Sequence, residues 1–258
     1  MKKSLTFLAV FTMMFVFYAC GDSVEIQKEE DMPSAEEQSE TDDKVVVKKE
    51  LSEVEIGGII EFGKYEQDND DTNGKEAIRW RILEENDGEM LVVSEKGLDA
   101  KSYNEEYVPV TWETCTLRTW LNEEFYNEAF SDDEKQMIKK VTLTNDDGGL
   151  YTRVDGGNDT EDKVFLLSLS EVEKYFGSNE DRICETTDYA MKNSTHYSTE
   201  GILPCVWWLR TPGDAGRLVA MVSIDGNLDR YGGTVCRPQY TTYLAPGDIV
   251  RPAMWIKK

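Results

Sequence analysis

The sequence predicts an α+β fold, with short helices packed on antiparallel strands and irregular loops between them. Three observations carry this. Some stretches alternate apolar and polar residues with a period of two, others repeat at helical spacing, and the two kinds mix without the regular β-α-β order of a parallel sheet. Ile59-Ile60-Glu61-Phe62 opens the folded part. From Ala77 to Leu83, Ile78, Trp80 and Ile82 fall on one side and Arg79 and Arg81 on the other, as in a half-buried strand. Met90 to Val93 is a second apolar run beyond Asn86-Asp87-Gly88, residues that tolerate positive φ, so the pair reads as a hairpin.

Leu117, Trp120, Leu121 and Phe125 recur at helical spacing and predict a helix that packs aromatic residues on the sheet. Ser131-Asp132-Asp133-Glu134 predicts a capping box, as does Ser170-Glu171-Val172-Glu173 with an end near Gly177. Asn145 to Asp162 is rich in Asp and Gly and predicts a loop, followed by a buried strand over Val164 to Leu167. Trp207 to Arg210 predicts another strand. Leu218, Ala220, Val222 and Ile224 alternate into a turn at Asp225-Gly226-Asn227, and Pro252 marks Ile249 to Ile256 as an edge strand or a bulge.

Ahead of this lies a different kind of sequence. Lys2 and Lys3 precede an apolar run from Leu5 to Phe17, which ends in Ala19-Cys20-Gly21-Asp22. The run is about 13 residues, short of the roughly 20 a spanning helix needs, and its order is that of an export signal. A cysteine directly after a small residue is the acceptor position of a bacterial lipoprotein, so residues 1–19 are expected to be removed and Cys20 to carry lipid. From Gly21 to Glu55 there are thirteen acidic residues against four basic ones and no aromatic residue. Such a segment buries too little apolar surface to offset chain entropy, and residues 20–55 are expected to form a disordered acidic tether. Residues 56–258 then form a single domain.

The chain carries 51 acidic and 28 basic residues, a formal net charge of −23, and no cluster of Lys and Arg. Nucleic acid as a partner is excluded, since it requires a basic footprint. Membrane association is expected through the lipid on Cys20 rather than through a basic patch, on the outer side of a bacterial membrane. Cys115, Cys184, Cys205 and Cys236 stand at wide spacing without a C-x-x-C pair, and both buried thiols and any of three disulfide pairings fit them.

Four blocks resemble a known family. They are Thr111-Trp112-Glu113-Thr114-Cys115-Thr116-Leu117-Arg118-Thr119-Trp120-Leu121-Asn122, Asp162 to Ser168, Trp207-Trp208-Leu209-Arg210-Thr211-Pro212-Gly213, and Val250-Arg251-Pro252-Ala253-Met254-Trp255. In this order they resemble domain-of-unknown-function family 6273, from about Ile56 to the end. The resemblance implies a C-type-lectin-like fold, related in outline to formylglycine-generating enzymes and to exported variable binding proteins. It transfers no catalytic residue.

Three constellations offer chemistry. Asn69, Asp71, Asn73 and Gly74 fall at EF-hand loop spacing, but Trp80 occupies the bidentate glutamate position and a strand follows instead of a helix, which favours a solvated loop. The single histidine, His196, lies in a polar stretch without a Gly-x-Ser-x-Gly elbow and reads as an exposed loop residue. The third is a segment in which Asp214, Arg217, Asp229, Arg230, Tyr231, Arg237, Tyr240 and Tyr243 stand among glycines, the composition of a binding surface. The expected function is a noncatalytic, lipid-anchored binding module for an envelope or extracellular glycan, peptide or protein, with no cofactor and no metal. The rivals are an enzyme, either a hydrolase or a formylglycine-type oxidase, and a structural envelope protein.

Overall fold

The structure, a computed structural model, describes residues 55–194, 204–236 and 249–258. β1 (Ile59–Tyr65), β2 (Glu76–Asn86) and β3 (Glu89–Ser94) form an antiparallel meander. Asp87 and Gly88 turn the predicted hairpin with φ of 49° and 79°, the double left-handed conformation that matches the twist of the flanking strands. In β1 the ladder slips between Glu61 and Lys64, where Gly63 has φ 72°. A Cβ at Gly63 would lie 2.6 Å from the Phe130 ring, so the bulge accepts glycine alone.

β4 (Lys96–Gly97) and β5 (Asp99–Ala100) are short. The predicted helix runs without a break through α1 (Thr116–Trp120), a π-helical stretch at Leu121–Phe125, and α2 (Tyr126–Ala129). Leu117, Leu121 and Phe125 are buried, whereas Trp120 is half-buried with the Lys101 ammonium 4.7 Å above its ring. α3 (Asp132–Met137) has the capping box at Ser131 and Glu134, and Glu134 also accepts the Gly63 N–H at 2.8 Å, tying this helix to the β1 bulge.

β6 (Val141–Leu143) pairs with β7 (Thr160–Asp162), so the last three residues of the predicted loop are strand. β8 (Val164–Phe165) is buried as expected but shorter. α4 (Leu169–Tyr175) is capped by Ser168 with Glu171, which corrects the expected box at Ser170 and Glu173. Both pairs have the required spacing, so the spacing did not discriminate between them. The Ser170 hydroxyl instead bonds Asp146 at 2.7 Å, and Glu173 pairs with Arg230.

α5 (Asn179–Arg182), β9 (Glu185–Thr186) and α6 (Asp188–Asn193) follow, β9 lying parallel to β4. β10 (Trp207–Pro212), β11 (Leu218–Val222) and β12 (Leu228–Thr234) form a second meander. In β11 Val219 and Met221 are buried along with Ala220 and Val222, and Ile224 is exposed. The alternation read there does not mark a solvent face, because β11 lies inside its sheet and is covered on both sides. β13 (Ile249–Val250) and β14 (Ala253–Lys257) belong to different sheets. Pro252 is therefore neither in an edge strand nor at a bulge but at the corner between sheets, where its missing N–H costs no ladder bond and its carbonyl accepts from Ser94 at 2.9 Å.

The first sheet has the order β1-β2-β3-β14-β8 and is antiparallel throughout. The second has the order β12-β11-β10-β13-β5, with β10 and β13 parallel. The fold is thus mixed α+β, with short helices around two antiparallel-rich sheets. Trp80, Trp112, Trp207 and Trp208 are fully buried, and each indole N–H has an acceptor: Phe62 O, Asp162, Arg182 O and Lys101 O.

Candidate functional site

A groove of about 490 Å³ opens where the ends of the second meander meet the Asp- and Gly-rich loop. Its floor is Thr211 and Pro212 from β10, Ala220 from β11 and Leu169 from α4, and Arg230 of β12 lines it as well. The remaining wall is a finger of chain. Gly148 and Val154 exchange backbone hydrogen bonds of 2.9 and 3.0 Å, closing the finger at its base, and Asp147 pairs with Arg153. A Cβ on Gly148 would lie 2.0 Å from the Pro212 carbonyl oxygen, so the finger sits directly against the end of β10.

The tip carries two apolar side chains into solvent. Leu150 is 49% exposed and Tyr151 82%. Neither is loose at the backbone: the N–H groups of Leu150, Tyr151 and Thr152 all donate to one oxygen of Asp214, at 2.9 Å for Leu150 and 2.7 Å for Thr152. The Thr152 N–H, with those of Tyr151 and Leu150, holds the Asp214 carboxyl below the usual carboxylate range. The Gly156 N–H and then Arg153 do the same for Asp147.

A second convergence is internal. Asp162 is 1% exposed and accepts from the Trp112 indole at 2.9 Å, the Thr160 hydroxyl at 2.8 Å, the Arg118 guanidinium at 2.6 Å and the Asn122 amide at 3.4 Å. Asn122 also accepts the Lys163 N–H and donates to Val164 O. Arg210 holds Glu171, Leu166 O and Thr144 O, and Arg251 holds Ser94 O while stacking 4.8 Å above the Trp207 ring. Each of the four sequence blocks therefore contributes at least one polar side chain that binds the framework to itself.

The model of the family described as Domain of unknown function (DUF6273) matches residues 87–258. The chain belongs to that family. No curated protein and no solved structure gives a significant match. The match to DUF6273 begins at the β2–β3 turn, later than the expected Ile56, although β1 and β2 complete the same sheet.

Within this DUF6273 domain the eight residues singled out from sequence separate. Asp214 anchors the finger and Arg230 lines the groove while pairing with Glu173. The Tyr231 carbonyl accepts the Asp214 N–H at 2.9 Å, and its side chain is 51% exposed. Arg217 stacks 5.2 Å over the exposed Tyr107 at the surface, and Asp229 accepts the Gly232 N–H within its own strand. Arg237, Tyr240 and Tyr243 lie outside the described residues, as do His196 and Cys20. The finger residues Leu150 and Tyr151 were missed. The available signal was an adjacent leucine and tyrosine in the middle of an otherwise polar loop.

All four described cysteines of the DUF6273 domain are free and buried. Cys184 and Cys205, distant in sequence, are brought opposite one another by the Glu185–Pro204 bridge, with Cys205 N–H donating to Cys184 O at 2.8 Å. Burial opposes ionisation of both thiols and raises Cys205, while the neighbouring Cys205 and the cationic Arg251 outweigh it at Cys184 and lower that thiol. Both sulfurs are sealed, each residue being 1% exposed. Burial pushes Cys115 up to about 12.

Proposed function

We propose that this DUF6273 chain is a noncatalytic binding module, carried on the outer side of a bacterial membrane by lipid on Cys20, which recognises an envelope or extracellular glycan, peptide or protein. One observation carries the binding reading: the finger holds Tyr151 and Leu150 in solvent on a backbone fixed by Asp214, beside an open groove lined by Arg230. Tyrosine and leucine exposed on an anchored loop are otherwise an unfavourable use of apolar surface, and a rigid aromatic presents contact area to a ligand with little entropy left to lose. Arg230 adds directional donors across the groove. The C-type-lectin-like assignment rests on the likeness of the four sequence blocks, and the sharing of one sheet by the first and last strands supports it.

Glycan arrays and envelope-protein pull-downs identify a partner, after which Tyr151→Ala is compared with the unaltered chain. We expect it to weaken binding by about tenfold, equivalent to about 1.4 kcal/mol, with the melting temperature unchanged, since the side chain is exposed. Equal affinity of the two proteins would remove the finger from the binding site.

A further inference from the structure

Where β1 ends and the chain turns toward β2, three carboxylates converge. One carboxylate oxygen from each of Glu66, Asp68 and Glu76 lies within 4.8 Å of the other two. Glu66 is only 8% exposed, and its Oε1 is buried without a hydrogen-bond partner. A buried acceptor left unpaired carries its desolvation penalty with nothing to offset it. The two neighbours are held by neutral donors. Asp68 accepts the Asp70 N–H and the Asn73 amide, each at 2.8 Å, and Glu76 accepts the Gln67 N–H at 2.7 Å. Among the described residues no lysine or arginine pairs with any of the three, and the adjacent Lys75 is turned to Glu128 at 3.1 Å. Three carboxyl groups are thus gathered around one buried oxygen that has no hydrogen-bond partner.

We propose that Glu66, Asp68 and Glu76 form a site for a hard divalent cation, calcium, which joins the end of β1 to the start of β2. The donor set is all oxygen, with no imidazole or thiolate, and this selects hard cations over zinc or copper. Calcium accepts an irregular shell of about 6–8 oxygens in which carboxylates are completed by carbonyls and water, whereas magnesium demands near-ideal octahedral geometry, which a set built from an irregular loop does not supply. The ligands differ from those of the EF-hand spacing: of that pattern's Asn69, Asp71 and Asn73 none is among the three, and Asp71 is exposed. The site also lies outside the segment matched by the family and is a feature of this chain's own first hairpin. Between the ligands Gln67 bonds Ala77 O and accepts the Tyr189 N–H at 3.0 Å, so a bound cation stiffens the contact of this corner with α6.

The test is thermal melting and calorimetry of the full chain, stripped with a chelator and then titrated with calcium chloride. A saturable rise in melting temperature with matching binding heat is expected, smaller with magnesium at equal concentration. Glu66→Gln should weaken calcium binding by about tenfold or more, because it removes one ligand charge, while Asp71→Asn leaves it unchanged. If Glu66→Gln does not fold, Asp68→Asn, at an exposed position, is read in the same way. No shift and no heat with the unaltered chain would overturn the proposal and assign the buried oxygen a proton shared with Asp68. So would a shift that survives in Glu66→Gln, or in Asp68→Asn where that variant is the one read, which would place calcium elsewhere on the acidic surface.

Discussion

At Asp162 a single carboxylate gathers four donors from an indole, a hydroxyl, a guanidinium and an amide. Three of those partners, Trp112, Arg118 and Asn122, were visible in the sequence as parts of one block, and Asp162 opened another. Their meeting was not visible, because forty or more residues separate them and a hydrogen bond leaves no periodicity. Asp162→Ala would strand a buried indole N–H and leave the part-exposed Arg118 with only its acceptors Glu113 O and Glu161 O, and we expect a loss of about 2–3 kcal/mol in urea unfolding. A loss under about 1 kcal/mol would show that this convergence is dispensable to the framework. Trp120 was read in part: its helical spacing suggested an aromatic packed on the sheet, and its ring does pack against the core 5.5 Å from that of Phe125, but it is only half-buried, with the Lys101 ammonium over its ring.

At the scale of elements, the longer strands and the starts of α1 and α3 were legible, whereas the short strands β4 to β7 and β9 and the helices α5 and α6 were not. The β2–β3 hairpin, the helix at Leu117 and the Ser131 box all follow from local patterns that need no distant partner. The finger from Gly148 to Val154 was read only as loop, because what shapes it is Asp214, more than sixty residues away. Its anchors titrate. The folded-state values of Asp214 and Asp147 lie below the ordinary carboxylate value of about 3.9, so their stabilisation is complete above that value and is lost as pH falls through the lowered ones. On acidification below about pH 4 the amides of Leu150, Tyr151 and Thr152 should lose protection from hydrogen exchange before the β2–β3 ladder does, and Asp214→Asn should loosen them at neutral pH. Persistent protection of these amides in acid would mean that the finger is held by its glycine packing on Pro212 alone.

On the scale of the whole molecule, two five-stranded sheets share the last stretch of chain, β13 in one and β14 in the other, with Pro252 at the step. Outside the matched domain the proposed tether and anchor set where the binding face would act. If Cys20 is the lipid acceptor, Cys20→Ser should abolish labelling by a fatty-acid probe and release the protein from the membrane fraction. Equal labelling of the variant would leave the anchor reading without support, while the groove and finger would stand unaffected.

Local pattern was enough to read the α+β class, the longer strands, the Ser131 cap and the family resemblance of the four blocks, because alternation, helical spacing and capping chemistry act over a few neighbouring residues. Three-dimensional contact was needed for the rest. Which serine caps α4 depends on where Ser170 and Glu173 find other partners. Whether β11 has a solvent face depends on what covers its sheet. The facing of Cys184 and Cys205 and the elevation of Leu150 and Tyr151 on a finger pinned by Asp214 depend on chain segments that approach one another only after folding. Such approaches are set by the summed packing of the core, and no short window of sequence contains that sum.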